Sequence, residues 1–367
     1  MLVFNMSAQL NQLILSNIRN LGLIDLNFGP QFNVFVGPNG SGKTSLLEAI
    51  YLLGVGRSFR ARSMKQIISF GASQCLIRAN ISASADMSQN TTWLAVERSI
   101  SGVAQFKIGA QVEKSASELA KMLPVQLIDV SSHLVLEGTP DNRRQFIDWG
   151  VFHVEHTFLY NWRQMRRALE QRNMALKHRH APAITWNETF IKYAMMVSEA
   201  RQAYVEKFKP IFLQMLQSML GLTEVDLNYE PGWAADQDLQ TALVASLNSD
   251  LSCGFTTRGP HRANLGVTIG GRPAREVLSR GQIKIFVCIM LLARATLLPS
   301  SRGCIFLIDD LHAELDNRSC SLFIDAIKAM GCQVFMTGID ANLLSNRLDG
   351  CVANLFHVEQ GAIRQAS

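Results

Sequence analysis

Residues 37–44 read GPNGSGKT, and this stretch constrains the chain more than any other. It matches G-x-x-x-x-G-K-[ST]. An apolar run, VFV, precedes it and a helical pattern, SLLEAIYLLGV, follows, which is the strand–loop–helix setting that phosphate binding requires. Its glycines let backbone N–H groups converge on phosphate oxygens, and the helix start adds the positive end of its dipole. Gly37, Pro38, Asn39, Gly40, Ser41, Gly42, Lys43 and Thr44 are therefore the expected nucleotide loop for ATP. Lys43 would lie between the outer phosphates and Thr44 would hold Mg²⁺.

Three further stretches carry chemistry. CIFLIDD, residues 304–310, is an apolar strand ending in two carboxylates, and buried strands rarely end so unless positive charge is near. Asp309 is expected to bind Mg²⁺ and Asp310 to orient the attacking water as a base, which with Lys43 makes the candidate catalytic set. Next comes AELD, in which Asp316 reads as a helix cap. The third is LSRGQIKIF, residues 278–286: Ser279 fits an N-cap before a long apolar helix. The same serine and helix start could also point at a γ-phosphate bound by a second subunit, so residues as distant in sequence as 43 and 279 need not meet in one chain.

The 367 residues suggest about two domains, with 48% hydrophobic and 18% charged residues as in ordinary globular proteins. A net charge of +5 permits a nucleic-acid partner without arguing for one. The seven cysteines, at 75, 253, 288, 304, 320, 332 and 351, form no CxxC and sit mostly in apolar surroundings. They read as small buried residues in a reducing compartment. The N-terminus shows no signal-peptide pattern, and the longest apolar run, 285–299, is broken by Arg294. A cytoplasmic protein that engages no membrane is expected.

Along the chain, NQLILSNI, LIDLNF and FNVFV read as strands before the loop, and CLIRANIS, TTWLAVERS and VAQFKIG as strands after its helix. From Pro140 to about Leu222 the pattern is helical, starting at Thr139-Pro140-Asp141. One seam runs through Phe158, Trp162, Met165, Leu169 and Leu176; a second through Tyr193, Val197, Ala200, Tyr204, Ile211 and Met215. The break lies at HRHAPAIT, and Pro210 is expected to kink or interrupt the second helix. After Gly254 the α/β pattern returns, and the sheets of the two halves must join, because the phosphate loop and the strand ending in Asp309 need each other. The expected fold is α/β: a P-loop ATPase head with an antiparallel β sub-sheet (1–138), an inserted α-helical arm (139–252), and the rest of the ATPase domain (253–367).

The arm carries a basic run: Arg163, Arg166, Arg167, Arg172, Lys177 and Arg179. Arg163, Arg166 and Arg167 share one helical face, which fits either a solvated surface or phosphate contact. Arg57, Arg60 and Arg62 form a second cluster. The pairs His153/His156 and His178/His180 lack a matching metal-ligand set and read as structural or surface residues.

In order along 12–340, NIRNL, GPNGSGKT, LLEAIYLLGVGRSFR, GTPDNRRQFID, TTRGPHR, LSRGQIK and FLIDDLHAELD resemble the RecF family, bacterial recombination and gap-repair ATPases related to SMC proteins. Arginine in the signature together with a second aspartate in FLIDD is especially similar. The resemblance implies an ABC/SMC-type head whose ATP-driven homodimer clamps DNA at single-strand/duplex junctions. It implies slow hydrolysis that releases DNA, with RecR as partner, acting with RecO to load RecA in replication-linked, SOS-related repair. By the same resemblance Ser279, Arg280, Gly281 and Gln282 are the trans signature and Glu314 and Asp316 the D-loop, with Ala313 in place of the usual serine. Gln126, in LPVQLID, is a Q-loop candidate because it is expected to end a strand where a Mg²⁺ or water contact could form, although DVSSHLVLEG after it departs from the family's proline-and-acid pattern. CQVFMTGID offers Thr337 and Asp340 where transporter ATPases carry a switch histidine.

Other readings compete. An ABC-transporter ATPase subunit would need only a short helical insert, whereas this one spans roughly 80 residues by its pattern. An SMC-like tether would need far longer arms. In a nucleotide kinase the signature serine and D-loop would have no purpose.

Overall fold

The computed structural model describes residues 9–61, 63–82, 91–178, 183–234, 236–299, 303–310, 315–339, 348 and 353–366, the side chains of 183 and 184 excepted. The chain divides into two compact units, Met1–Ser132 with Leu298–Ser367, and His133–Leu297.

In the first unit, β1 (Gln9–Ile18), β2 (Leu21–Asn27), β4 (Gln74–Ser82), β5 (Thr91–Ser99), β6 (Ala104–Ile108) and β7 (Gln111–Glu113) form an antiparallel sheet in the order β2-β1-β4-β5-β6-β7. Burial alternates along β4, as it must when one face packs and the other is wet. A second sheet has the order β15-β14-β3-β13-β12-β8. Its strands are β3 (Phe32–Val36), β8 (Val125–Ile128), β12 (Ile305–Ile308), β13 (Gln333–Gly338), β14 (Ala353–Glu359) and β15 (Ala362–Gln365). All its neighbours pair in parallel except β14 with β15. The strands β3, β12 and β13 are buried at every position, as parallel strands covered on both faces are. The two halves of the ATPase domain thus share one sheet, as the motifs required.

Helix α1 (Lys43–Val55) joins both sheets in one core. Leu46, Leu47, Ala49, Ile50, Leu52 and Leu53 cluster with residues of both sheets. A helix apolar on all sides is stable only when enclosed. Gln333 ties the sheets at the backbone: its side chain accepts from Leu10 N at 2.8 Å and donates to Leu10 O at 3.0 Å and Gly29 O at 2.8 Å. In the same unit α2 (Ala116–Met122) precedes β8.

The second unit holds α3 (Leu134–Glu137), α4 (Pro140–Val154), α5 (Phe158–His178), α6 (Asn187–Leu220), α7 (Leu239–Ala245), α8 (Leu247–Cys253), α9 (Ala274–Val277) and α10 (Arg280–Thr296). A small sheet of β9 (Val225–Glu230), β10 (Asn264–Ile269) and β11 (Arg272–Pro273) joins them. The start of α4 is as expected, with Thr139 capping and a proline in the first turn. Two expectations for α6 change. Of the two effects expected of Pro210, interruption does not occur: the helix continues through it. Its buried seam is Phe190, Ala194, Val197, Arg201, Tyr204, Val205, Phe208, Phe212 and Leu216, so of the expected set only Val197 and Tyr204 lie in it. Spacings of 3 and 4 fit more than one face of a long helix, and the aromatic residues claim the core by their larger apolar area.

Residues 253–297 belong to this second unit, whereas the sequence placed them with the rest of the ATPase domain. Strand β10 pairs with β9 and β11 and with no strand of the parallel sheet. Helix α10 packs on α6, with Phe286 edge-on to Phe212 at 5.2 Å. The chain is back in the first unit from Leu298, where helix α11 (Asn317–Met330) lies between β12 and β13.

Candidate nucleotide site

The phosphate loop leaves the carboxyl end of β3 and Asp309 follows that of β12, with β13 between them. Ligands of open parallel sheets bind at such strand ends. The tip, Pro38 to Gly40, is exposed, whereas Ser41, Gly42 and Lys43 are buried. Gly37 lies so close to β14 that a Cβ there would fall 2.1 Å from Val358 O. Lys43 Nζ donates to the carbonyls of Gly37 at 2.7 Å and Pro38 at 2.9 Å, curling the loop over its own lysine. Burial pushes the Lys43 ammonium below its usual pKa, while Asp310 and Asp309 pull it back up.

Thr44 Oγ1 donates to Asp309 Oδ1 at 3.0 Å, across 265 residues of sequence. Asp309 N donates to Ile128 O at 2.9 Å, which continues the β12–β8 pairing. The threonine and aspartate thus meet as the two motifs predicted. Hard oxygen donors of this kind suit Mg²⁺, and the buried Ser41 hydroxyl has no hydrogen-bond partner among the described residues, as a phosphate cradle would leave it. The residues fit ATP with Mg²⁺.

Two turns grip this loop. In the β1–β2 turn, Asn20 Nδ2 donates to Gly40 O at 3.3 Å and Ser41 O at 3.1 Å, and its Oδ1 accepts from the Ser45 hydroxyl at 3.1 Å. In the β14–β15 turn, Gly361 N donates to Ser41 O at 2.8 Å. Gln360 and Gly361 both have positive φ, a tight hairpin turn whose signal is QG between two strands. Arg19, next to Asn20, pairs with the buried Glu48 of α1. The NIRNL run is therefore part of the loop's scaffold.

Gln126 is not where the sequence placed it. It is the second residue of β8, opposite Phe306, and the strand continues to Ile128. At a rise of about 3.3 Å per residue it sits roughly 10 Å short of the level of Asp309. Asp129 occupies that level. Asp316 caps α11, accepting from Ser319 N at 2.9 Å, and that bond holds its carboxyl below the usual range. Ala313, Glu314 and Asp340 lie outside the described residues, as do Arg62, Arg179 and His180.

In the second unit Ser279 caps α10 in a reciprocal box: Ser279 Oγ accepts from Gln282 N at 3.3 Å, and Ser279 N donates to Gln282 Oε1 at 2.9 Å. Ser279, Arg280, Gly281 and Gln282 are all exposed, so an ordinary cap also presents a helix N-terminus at the surface. Arg57 and Arg60 are exposed, as are Arg163, Arg166 and Arg167 on one face of α5. Arg166 lies over the Trp162 ring at 5.1 Å and 3.6 Å from Glu170. Arg172 leaves the basic run. It is fully buried and binds Asp250 at 2.8 Å, Asn187 at 2.8 Å and Thr256 at 2.6 Å. One face of α5 must enter the core, and Arg172 brings its charge there with a partner.

A phosphate loop, an acid-terminated neighbouring strand, an antiparallel sub-sheet and an exposed serine-capped signature helix define the nucleotide-binding head of an ABC/SMC-type ATPase. A model of the RecF/RecN/SMC N-terminal domain matches residues 9–364. The chain is 39% identical to the DNA replication and repair protein RecF of Pseudomonas syringae pv. tomato, over 97% of this chain and 98% of that one. It is 39% identical to RecF of Stutzerimonas stutzeri, over 97% of each chain. In fold it resembles the recombination mediator RecF with ATP, with a TM-score of 0.87, 23% identity and 99% of each chain covered. An Smc head domain from Pyrococcus furiosus gives 0.60 at 15% identity, over 98% of this chain and 96% of that one. The chain belongs to the RecF family. These relatives do not favour the transporter reading, and among the described residues no helix is long and apolar enough to cross a membrane.

Proposed function

We propose that the chain is an ATP-dependent DNA-binding protein of replication and recombinational gap repair. The observation that carries this reading is the meeting of Lys43, Thr44 and Asp309 at the ends of strands in one sheet. Thr44 and Asp309 would hold Mg²⁺, Lys43 would neutralise the outer phosphates, and Asp310 would orient the attacking water. ATP binding brings two copies together, Ser279 of each facing the nucleotide held by Lys43 of the other. The exposure of Ser279 to Gln282 supports this arrangement.

The exposed arginines of α5, with Arg57 and Arg60, are the candidate phosphate contacts for DNA, at gaps and single-strand/duplex junctions. Slow hydrolysis then releases the DNA. RecR is the expected direct partner, with RecO and RecA in the same pathway, in the cytoplasm. Light scattering tests the dimer: ATP with Mg²⁺ should double the mass of the wild type and not of Lys43→Ala. Gel shifts on gapped duplex, stimulated by ATP, test DNA binding. A protein that stays monomeric with ATP and binds gapped DNA no better for it would refute the reading.

A further inference from the structure

Thr337 stands at the end of β13, between the phosphate-loop strand and the Asp309 strand, and is 1% exposed. Met336 pairs with Ile308, so Thr337 is level with Asp309. Every neighbour of Thr337 along β13 is buried, and valine would fill the same volume. The hydroxyl is what a valine would lack.

That hydroxyl both donates and accepts. Its proton goes to Asp309 Oδ1 at 2.8 Å, and it accepts the backbone N–H of Asp310 at 3.0 Å. Asp309 Oδ1 therefore takes two hydroxyls, Thr337 and Thr44. Thr44 has a second duty, because its oxygen would turn to a cation. Thr337 has none and can hold Asp309 throughout. Asp310 has φ +52, a left-handed conformation that carries a steric cost for any residue with a Cβ, although aspartate bears it better than most. The Thr337 oxygen is the partner of the N–H of that residue, so it sets the direction in which the Asp310 carboxylate leaves the strand.

We propose that Thr337 is a positioning residue for ATP hydrolysis: one buried hydroxyl orients both strand-terminal aspartates, Asp309 through its carboxylate and Asp310 through its backbone. The role rests on the ATPase reading above. It acts on turnover and not on ATP capture, which belongs to the phosphate loop.

The test compares Thr337→Val, Thr337→Ala and Thr337→Ser in the full chain. The expected result is a kcat lowered about tenfold or more in Val and Ala, with KM for ATP unmoved and turnover restored in Ser. In the Asp310→Asn background Thr337→Val should lower kcat by a smaller factor than in the wild type, because only its effect through Asp309 is left to lose. A readout without nucleotide accompanies this. Asp310→Gly, free of the left-handed penalty, should raise the melting temperature of the wild type and not that of Thr337→Val. Thr337 has no such role if Val and Ala turn over like the wild type, if Ser is as slow as Val, or if the two melting shifts are equal. A wild type without ATP turnover that Lys43→Ala abolishes overturns the ATPase reading itself, and this role with it.

Discussion

Arg19 holds Glu48 in a two-pronged ion pair, Nε to Oε2 at 2.8 Å and Nη2 to Oε1 at 2.9 Å. The carboxylate is fully buried in the middle of α1, and the arginine reaches it from the β1–β2 turn. The Ser58 hydroxyl donates to the same carboxylate, so the GRSFR run is tied to the helix as well. Arg19→Ala strands a buried charge. Unfolding in urea should show a loss of about 3 kcal/mol, against less than about 1 kcal/mol for an exposed control such as Arg60→Ala.

Ser279→Ala separates a cap from a signature. Loss of the cap alone costs about 1 kcal/mol of stability. If the serine also faces a nucleotide on a second subunit, the variant binds ATP normally and stays a monomer. ATP titration with light scattering distinguishes the two, and normal ATP-dependent dimers remove the trans role.

His261 links acid to the stability of the helical unit. Burial drops its pKa to about 4 from an ordinary 6.5, opposed by a bond between its Nε2 and Thr256 O at 2.9 Å. The unfolded chain takes up the proton near 6.5 and the folded chain only near 4, so stability is lost as the pH falls through that window. The full loss is about 3 kcal/mol. Denaturation between pH 7 and 4 should show this slope in the wild type and a flatter one in His261→Gln.

The α5 arginines should divide into two kinds. Arg163→Gln, Arg166→Gln and Arg167→Gln should each weaken DNA binding uniformly across sequences and reduce the salt slope by about 1. Arg172→Ala should instead lower stability by about 3 kcal/mol or more, because it leaves Asp250 buried and unpaired. Filter binding over a salt series, beside urea melts, checks both. An unchanged salt slope in the first three would make them a solvated face.

Much of the nucleotide site was legible in the sequence. Glycines at fixed offsets before Lys43-Thr44, and an apolar run ending in Asp309-Asp310, are local patterns that chemistry demands at those spacings. Their meeting was legible too, because each motif needs the other. Long-range partners were not. Asn20 reads as a turn residue until the fold brings it against Gly40 and Ser41, and Gln126 reads as a strand end until register shows β8 running two residues further. Arg172 looks like its exposed neighbours until rotation about α5 buries it beside Asp250.

By itself the sequence determined the phosphate loop, the paired aspartates, the strand and helix types and the family, since each depends on residues close together or on motifs in order. Only the tertiary structure decided which polar side chains serve those motifs. Thr337, Asn20 and Glu48 hold their places through bonds to residues distant in sequence, and a hydrogen bond needs a partner within about 3 Å, which no local pattern specifies.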